Sequence, residues 1–451
     1  MRPPAHRSHR QNEPKDRLTA LKKLRQSIGD YQKAMELSIR TEAGKPAWEA
    51  KADIDSAIRY LDWVSENGDK IFEHLLAPAK LGRAVGNFKL LPLGLTAGYL
   101  PFSTPVTSFV HFFAASVLAG CPLIITSGSH AVLSATLFAH LDRTLDLPPG
   151  MLNILYGNFD VFKQVIADNR VAAVLYVGSR EHCDFIRREG KARVGRQHVL
   201  QSGGKNAIIV HSTADLDRAV RMAVIGSTKA SGQLCSSTSR IFVHQPLLNE
   251  LGDKLTTVMQ KLKIGRTDID VGGEEIFLGP LYSRKAVDKF LRFQTMAARE
   301  SSDNLMWGKS LDICEDGSFV QPGIHVMKEF DNNSAYQGNV LFTPDLALYP
   351  FDRIEAAIEM CNTTDASLAV SFIGDPDVIE KRRYLLLAPN ILVNRPTVEI
   401  EATLPLAGRL QSGHHRYHSA GIALYLCYPQ VLQDETTSDP FTRDWPWPHQ
   451  D

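Results

Sequence analysis

One cysteine of the chain lies in surroundings where a thiol could do chemistry. Cys235 falls in the small, polar segment Ser-Gly-Gln-Leu-Cys-Ser-Ser-Thr-Ser-Arg, residues 231–240, immediately before the apolar run Ile-Phe-Val-His. Cys121, Cys361 and Cys427 lie among apolar residues instead, as inert core thiols do. A thiolate in an accessible loop can attack a carbonyl carbon and carry an acyl group. An isolated loop cysteine is more often a structural thiol, so the accompanying motifs decide between the two interpretations.

Short motifs rich in Gly, Pro and polar residues accompany this cysteine along the chain. A Gly-Gly turn, Leu-Gln-Ser-Gly-Gly-Lys-Asn at residues 200–206, precedes the apolar run Ile-Ile-Val. The other motifs are Leu-Pro-Leu-Gly at 91–94, Pro-Phe-Ser-Thr-Pro at 101–105, Leu-Pro-Pro-Gly-Met-Leu-Asn at 147–153, Val-Gly-Ser at 177–179, Asn-Arg-Pro at 394–396, Leu-Pro-Leu-Ala-Gly at 404–408 and Ser-Gly-His-His-Arg at 412–416. Each motif is weak alone, and the information lies in their order and spacing.

In this order the set closely resembles the NAD(P)-dependent aldehyde dehydrogenase superfamily, over residues 17–435. Within it, Gly-Lys-Pro-Ala-Trp-Glu-Ala at 44–50, Ser-Gly-His-His-Arg at 412–416 and Leu-Cys-Tyr-Pro-Gln-Val-Leu at 426–432 are similar to succinylglutamate-semialdehyde dehydrogenases of arginine degradation. The resemblance implies an α/β fold with two Rossmann-type lobes and a β-flap. It also implies NAD or NADP as cofactor, a small aldehyde as substrate, and a homodimer or homotetramer.

The resemblance places three residues in the catalytic machinery. Cys235 aligns with the nucleophile that forms a thioester. Gln201 stands at the position of the glutamate that activates water, and a carboxamide cannot accept a proton near neutral pH. Ser103 stands at the position of the asparagine that stabilises the oxyanion, with a shorter side chain that could still donate.

The cofactor positions that the resemblance implies have also changed. Gly178 and Ser179 form the turn that faces the pyrophosphate, and Phe342 is retained. Thr126 begins a segment that carries neither the lysine nor the glutamate expected around the adenosine ribose. Val340 replaces a glutamate that holds the nicotinamide ribose. We therefore expect weakened or lost dinucleotide binding, since each polar contact contributes about 1 to 3 kcal/mol.

One arginine is a candidate for substrate binding. Arg416 in the Ser-Gly-His-His-Arg segment is well placed, by the resemblance, to pair with a substrate carboxylate. An arginine that ties down the C-terminal segment explains the same residue equally well.

Short apolar runs alternating with helical patterns must position these residues. This alternation predicts a doubly wound parallel sheet, followed after Cys235 by a second α/β series. A helical pattern from Arg17 to Asn67 precedes the first sheet, and the run from Gly421 to Leu432 predicts a β-strand that pairs outside its own lobe. The expected division is a basic tail at 1–16, N-terminal helices and nucleotide-binding lobe at 17–234, catalytic lobe at 235–408, oligomerisation strand region at 409–435 and a tail at 436–451.

Composition excludes several other classes of protein. The chain has 451 residues, with 50 Lys and Arg against 50 Asp and Glu, and this balance argues against a nucleic-acid partner. Its most apolar stretch, 109–124, is interrupted by polar residues, Gly and Pro, and predicts a buried helix rather than a membrane span. The N-terminus has no apolar signal-peptide region. Six cysteines without a CxxC pair predict free thiols, no metal site and a cytoplasmic protein.

Three functions stay open from the sequence. The chain is an NAD(P)-dependent aldehyde dehydrogenase that acts through Cys235, or a relative that passes its acyl group to coenzyme A. The third is a catalytically impaired homologue that serves as a scaffold or regulatory subunit. Loss of the base, the oxyanion donor and the ribose contacts favours the third, whereas the retained Cys235 loop favours the first two.

Overall fold

The computed structural model describes residues 14–68, 70, 79–81, 84–191, 195–268, 275–331, 333–414 and 421–435. Three helices open the described chain, and their apolar residues at three- and four-residue spacings are buried, among them Leu21, Leu24 and Ile28. Gly44, in the left-handed conformation at φ 63°, ends the second helix. These helices are α1 (Pro14–Asp30), α2 (Gln32–Ala43) and α3 (Ala47–Asn67).

A six-stranded sheet follows, and it confirms the predicted doubly wound α/β arrangement. Its strands are β3 (Leu95–Leu100), β4 (Leu123–Ser127), β5 (Leu152–Tyr156), β6 (Val171–Val177), β7 (Gln197–Gln201) and β19 (Gly413–His414). The connecting helices are α4 (Pro105–Ala119), α5 (Val132–Leu141), α6 (Phe159–Ala167) and α7 (Arg180–Lys191). The strand order is β19-β7-β6-β3-β4-β5, and all pairs are parallel except that of β19 with β7.

The direction of strand addition reverses once within this sheet. From β3 the chain adds β4 and β5 on one side, and then returns to add β6 and β7 on the other. The switch point therefore lies between β3 and β6. Open α/β sheets bind ligands outside the carboxyl ends of their strands at such a point. Leu100 and Val177 end the two strands there.

A seven-stranded sheet, in the order β10-β13-β14-β9-β8-β16-β17, forms the second lobe. Its strands are β8 (Asn206–Val210), β9 (Thr238–His244), β10 (Ser301–Met306), β13 (Gly323–Met327), β14 (Asp345–Phe351), β16 (Ala369–Ile373) and β17 (Asn390–Val393). Its helices are α8 (Leu216–Thr228), α9 (Leu248–Met259), α10 (Arg284–Glu300), α11 (Ala335–Gly338), α12 (Ile354–Asn362) and α13 (Pro376–Glu380). Two short two-stranded sheets accompany this lobe. They are β11 (Lys309–Leu311) with β12 (Phe319–Gln321), and β15 (Ala366–Ser367) with β18 (Arg409–Leu410). The expected nucleotide-binding lobe at 17–234 includes Asn206–Val210, but this strand belongs to the second sheet, because it pairs with β9 and β16. The chain changes sheets between Gln201 and Asn206, before the expected division at 234/235.

The C-terminal region forms a small antiparallel sheet in the order β1-β2-β20, from β1 (Ala79–Leu81), β2 (Ala84–Pro92) and β20 (Cys427–Glu435). The expected strand from Gly421 to Leu432 is wrong in its first half, which forms the helical turn α14 (Ile422–Tyr425). Ile422, Ala423 and Leu426 are all fully buried. Residues at i, i+1 and i+4 share one face of a helical turn but opposite faces of a strand, so burial selects the turn.

Among the described residues, no helix combines the length and apolarity needed to cross a membrane.

Candidate active site

A kinked segment leads into Cys235. Ala230, Ser231 and Gly232 have φ values of 51°, 56° and 74°, three successive left-handed residues. Only glycine fits at the last of them, because a Cβ there would come within 2.4 Å of the carbonyl carbon of Thr343. Left-handed backbone costs about 1 to 2 kcal/mol for each residue with a side chain. The surrounding structure must therefore hold this segment in place.

Buried side chains supply that support. The carboxylate of Glu49, which is fully buried, accepts a hydrogen bond of 2.7 Å from the backbone N–H of Ala230. The Ser231 hydroxyl donates to the carbonyl oxygen of Gly279 at 2.8 Å. Gln233 Nε2 donates to the Ala230 carbonyl at 2.9 Å, and Gln233 Oε1 accepts from the N–H of Tyr282. The segment is thereby fixed to the N-terminal helices and to the second lobe.

Cys235 itself is half-buried at the end of this segment. Burial raises the pKa of its thiol to about 11, although the backbone N–H groups of Cys235 and Ser236 favour the thiolate and oppose this rise. The thiol is thus mostly protonated near neutral pH. Backbone N–H groups are also the kind of donor that stabilises the oxyanion formed when a sulfur attacks a carbonyl group.

The Gly-Gly turn packs directly against the cysteine. The Gly204 N–H donates to the carbonyl oxygen of Cys235 at 3.0 Å. A Cβ on Gly203, which has a φ of 82°, would lie 3.0 Å from the ring of Phe342 and 3.3 Å from the Cα of Cys235. Lys205 is buried and donates to the carbonyl oxygens of Tyr336 and Asn339, at 3.2 and 2.8 Å. The structure therefore brings Cys235, the Gly-Gly turn and the Phe342 loop together.

Gln201 ends β7 at the start of this turn, and its side chain is fully buried. Neither its Nε2 nor its Oε1 atom has a hydrogen-bond partner among the described residues. A buried amide without partners costs about 1 to 3 kcal/mol. The side chain cannot remove a proton from water, so this position holds no general base.

Ser103 follows β3 at the switch point of the first sheet. The buried Lys45 Nζ donates to the Ser103 carbonyl oxygen at 2.7 Å. Asp53, also buried, accepts from the N–H groups of Val106 and Thr107 at 3.1 and 3.3 Å, and so caps α4 immediately after this residue. These contacts fix the backbone of the segment that carries the candidate oxyanion donor.

The candidate cofactor residues lie at the carboxyl edge of the first sheet. Gly178 and Ser179 follow β6, across the switch point from Ser103. Thr126 lies in β4 and is fully buried, and its hydroxyl has no hydrogen-bond partner among the described residues. Arg416 lies outside the described residues.

An aromatic cluster fills the space between α6 and α7 at the same edge. The rings of Phe159 and His182 stack with centroids 3.6 Å apart and an angle of 6° between their planes. The Tyr176 hydroxyl lies 2.8 Å from His182 Nδ1, and Phe162 and Tyr99 pack beside it. Burial lowers the pKa of His182, so its ring is neutral near pH 7.

These residues fit only part of a dinucleotide. Around Cys235, the packed Gly203 and Phe342 agree with the resemblance. At the other end, Thr126 is followed by Ser-Gly-Ser rather than by a lysine and a glutamate. The rings of Phe159 and His182 lie together at the N-termini of α6 and α7. Among the described residues there is also no group of three or more His, Cys, Asp or Glu side chains that could hold a metal ion.

Several supporting residues escaped the sequence analysis. Lys45 and Glu49 belong to the segment at 44–50, which contributed only to the resemblance, and Asp53 follows it on α3. These three residues contact the Cys235 and Ser103 segments. Lys205 and Asn206 stand in the quoted Gly-Gly motif, but their partners lie far along the chain. Charged residues on the apolar face of a predicted helix are the signal that could have revealed Glu49 and Asp53.

The fold and this site define a two-lobed α/β protein with a cysteine beside the turn that joins its two sheets. The family model described as "Aldehyde dehydrogenase family" matches residues 4–431, and the chain belongs to that family. It is 27% identical over 413 residues to the chloroplastic betaine aldehyde dehydrogenase of Amaranthus hypochondriacus, covering 90% of this chain and 80% of that protein. It is also 27% identical to the glutarate-semialdehyde dehydrogenase of Pseudomonas putida, over 79% of this chain and 72% of that protein. An NADP-dependent enzyme of E. coli has the same fold, with a TM-score of 0.88 at 24% identity over 96% of this chain and 88% of that one.

Proposed function

We propose that this protein oxidises a small aldehyde or semialdehyde through a covalent adduct at Cys235, with NAD or NADP as the hydride acceptor. The observation that carries the proposal is the Cys235 segment. Three left-handed residues, a glycine without room for a Cβ and a buried carboxylate on Ala230 all hold one thiol beside two backbone N–H donors. A merely structural cysteine needs none of this.

In the proposed reaction the Cys235 thiol loses its proton to solvent, and the thiolate sulfur adds to the aldehyde carbon. A carbon–sulfur bond forms, and the carbonyl π electrons move onto the oxygen. The N–H groups of Cys235 and Ser236 stabilise that oxyanion, and the Ser103 hydroxyl is the proposed third donor. When the π electrons return, the hydride on that carbon would leave to NAD or NADP, and a thioester would remain on Cys235. Because the thiol has a raised pKa of about 11, addition becomes faster as the pH rises.

Release of the acyl group is the step that this chain supports least. Gln201 cannot take a proton from water, so we infer that the thioester hydrolyses slowly, by a factor on the order of 10² to 10⁴ compared with a general base at this position. This observation favours acyl transfer to coenzyme A as a second candidate function. A thiol acceptor needs less activation than water.

The finer identity of the substrate rests on the resemblance. N-succinylglutamate semialdehyde of arginine catabolism is the proposed substrate, with Arg416 as the proposed partner of a substrate carboxylate. The relatives that act on other semialdehydes support a short, polar aldehyde in general.

We also propose a homodimer or homotetramer that assembles through β20. This strand lies at an edge of its sheet, and the side chains of Tyr428, Val431 and Leu432 are 38%, 61% and 63% exposed in the single chain. An exposed apolar edge strand tends to pair with another chain. All six cysteines are free thiols, in agreement with the proposed cytoplasmic location.

A burst experiment tests the proposed oxidation. Mixing enzyme, N-succinylglutamate semialdehyde and saturating NAD or NADP should release about one equivalent of reduced cofactor per Cys235, followed by slow turnover. C235S should abolish the burst, while C361S, which changes a buried thiol away from the site, should leave it intact. Coenzyme A should speed turnover after the burst if the second candidate is correct. No burst with either cofactor would contradict the oxidation.

A further inference from the structure

The two helices that start at the switch point of the first sheet differ in what occupies their N-termini. A helix N-terminus attracts anions such as phosphate because its first N–H groups lack partners within the helix. At α4 those N–H groups already bind the buried Asp53 carboxylate. At α7, Ser179 caps its own helix by accepting from the N–H of His182 at 3.4 Å. Of these two helices, α4 carries a buried negative charge at its N-terminus and α7 carries only a neutral hydroxyl, so α7 is the one that favours a nucleotide phosphate.

Beside the N-terminus of α7, two of the protein's own rings stack against each other. Phe159 is the first residue of α6 and His182 the third of α7, so both stand at the carboxyl edge of the sheet. Their 3.6 Å separation and nearly parallel planes correspond to van der Waals contact, and no third ring fits between them. Phe159 is only 7% exposed.

A second layer prevents the stack from moving inward. The Tyr176 hydroxyl contacts His182 Nδ1 at 2.8 Å. Phe162 is fully buried and packs against Phe159 at 5.8 Å between ring centroids. Because these residues pack behind the two rings, neither ring can move into the core. A base can therefore insert between α6 and α7 only if Phe159 or His182 rotates outward.

We propose that the Phe159–His182 stack is a built-in plug, which closes the nucleobase half of the cofactor crevice so that NAD and NADP bind only when one ring leaves. This inference rests on the proposed function, which needs a cofactor. The plug sets the apparent dissociation constant of that cofactor. A binding-competent state that is rarely populated raises the apparent dissociation constant by the inverse of its population. Phe159 is thus the residue that limits dinucleotide affinity.

Calorimetric titration of the full-length protein tests the plug. The probes are adenosine monophosphate, NAD and NADP, and the variants are F159A and H182A. Wild type should bind all three with millimolar dissociation constants, and each variant should bind them about tenfold more tightly, which corresponds to one base-stacking contact made accessible. F185A is the matched control, because Phe185 packs edge-on against Phe159 from α7 and leaves the stack intact. Its affinities should equal those of wild type.

The outcomes separate the plug from the proposed function. Micromolar binding to wild type, or variants that fold normally and bind no more tightly, overturns the plug. H182A removes a half-buried ring and keeps the inference testable if F159A does not fold. Addition of an aldehyde to Cys235 needs no cofactor, so its failure contradicts the proposed function without affecting the result for adenosine monophosphate.

Discussion

The side-chain amide of Asn206 donates a hydrogen bond of 3.1 Å to the carbonyl oxygen of Cys235. The same amide donates to the Ser237 carbonyl at 3.0 Å, and its oxygen accepts from the N–H of Ala369. One buried residue at the start of β8 thus joins the cysteine segment to two strands of the second sheet. The position of the thiol is set by the sheet rather than by the loop alone.

Asn206→Ala should therefore loosen the cysteine segment. It removes three hydrogen bonds to buried backbone groups, of which the Cys235 carbonyl keeps a second partner, the Gly204 N–H. We expect a cost of about 2 to 4 kcal/mol in the free energy of unfolding. Urea denaturation measures the loss. Asn153 makes a similar amide contact to two carbonyl oxygens at an exposed position, and N153A should cost less than about 1 kcal/mol. Equal losses in the free energy of unfolding for N206A and N153A would show that the buried contacts of Asn206 do not stabilise the cysteine segment.

Gly232→Ala should be the most damaging small substitution near the site. The added Cβ meets the Thr343 backbone at 2.4 Å in a left-handed residue, so we expect a loss of about 3 kcal/mol or more and no burst. Gly195 has a similar φ of 86° but no atom within 4 Å of its Cβ position. G195A should lower the free energy of unfolding by only about 1 to 2 kcal/mol, because it adds the strain of a left-handed alanine without a steric clash. Thermal unfolding compares the two, and a mild effect of G232A would contradict the close approach.

Gln201→Glu should restore a general base. The turnover that follows the burst should rise on the order of 10²-fold, while the amplitude of the burst stays near one equivalent. A carboxylate buried at this position has a raised pKa, so the gain should increase with pH through that value. Gln201→Leu, which has a similar volume and no proton acceptor, should give no gain. If turnover is unchanged in Q201E at saturating cofactor, hydrolysis is not limited by the missing base.

Glu49 should make stability depend on pH. Burial raises its pKa from 4.5 to about 7, although Lys45, the Ala230 N–H and Lys229 oppose the shift. The stability contributed by the protonated form is fully present below about pH 4.5 and is lost as the pH rises through about 7. E49Q keeps an acceptor for the Ala230 N–H but does not titrate. Relative to E49Q, the free energy of unfolding of wild type should fall by up to about 3 kcal/mol between about pH 4.5 and pH 7. Urea denaturation at several pH values measures the difference, and a constant difference would contradict the shifted pKa.

The sequence predicts the local parts of this structure well. Strands β3 to β6 and the helices between them have strong patterns of apolar residues, and Gly44 and Pro46 mark a turn by their own backbone preferences. Cys235 stands out for a similar reason, because a polar, Gly-containing segment before a buried strand is visible within ten residues of the sequence.

Contacts between distant segments could not be predicted in the same way. Glu49 and Ala230 are 181 residues apart, and nothing near either residue indicates the other. The Phe159–His182 stack joins two helices that looked ordinary in the sequence. The apolar pattern at Ile422–Tyr425 predicts a strand, because a short apolar run does not distinguish a strand from a helical turn. Burial of these side chains selects the turn.

Protection of Cys235 by an aldehyde tests the central claim most directly, since it needs no cofactor. Iodoacetamide labelling, resolved by peptide mass spectrometry, should modify Cys235 before the fully enclosed Cys361, whose pKa burial raises to about 12. The labelling rate at Cys235 should rise about tenfold per pH unit below its pKa of about 11. Saturating N-succinylglutamate semialdehyde should slow labelling at Cys235 alone. Equal rates at Cys235 with and without the aldehyde would contradict its role as the nucleophile.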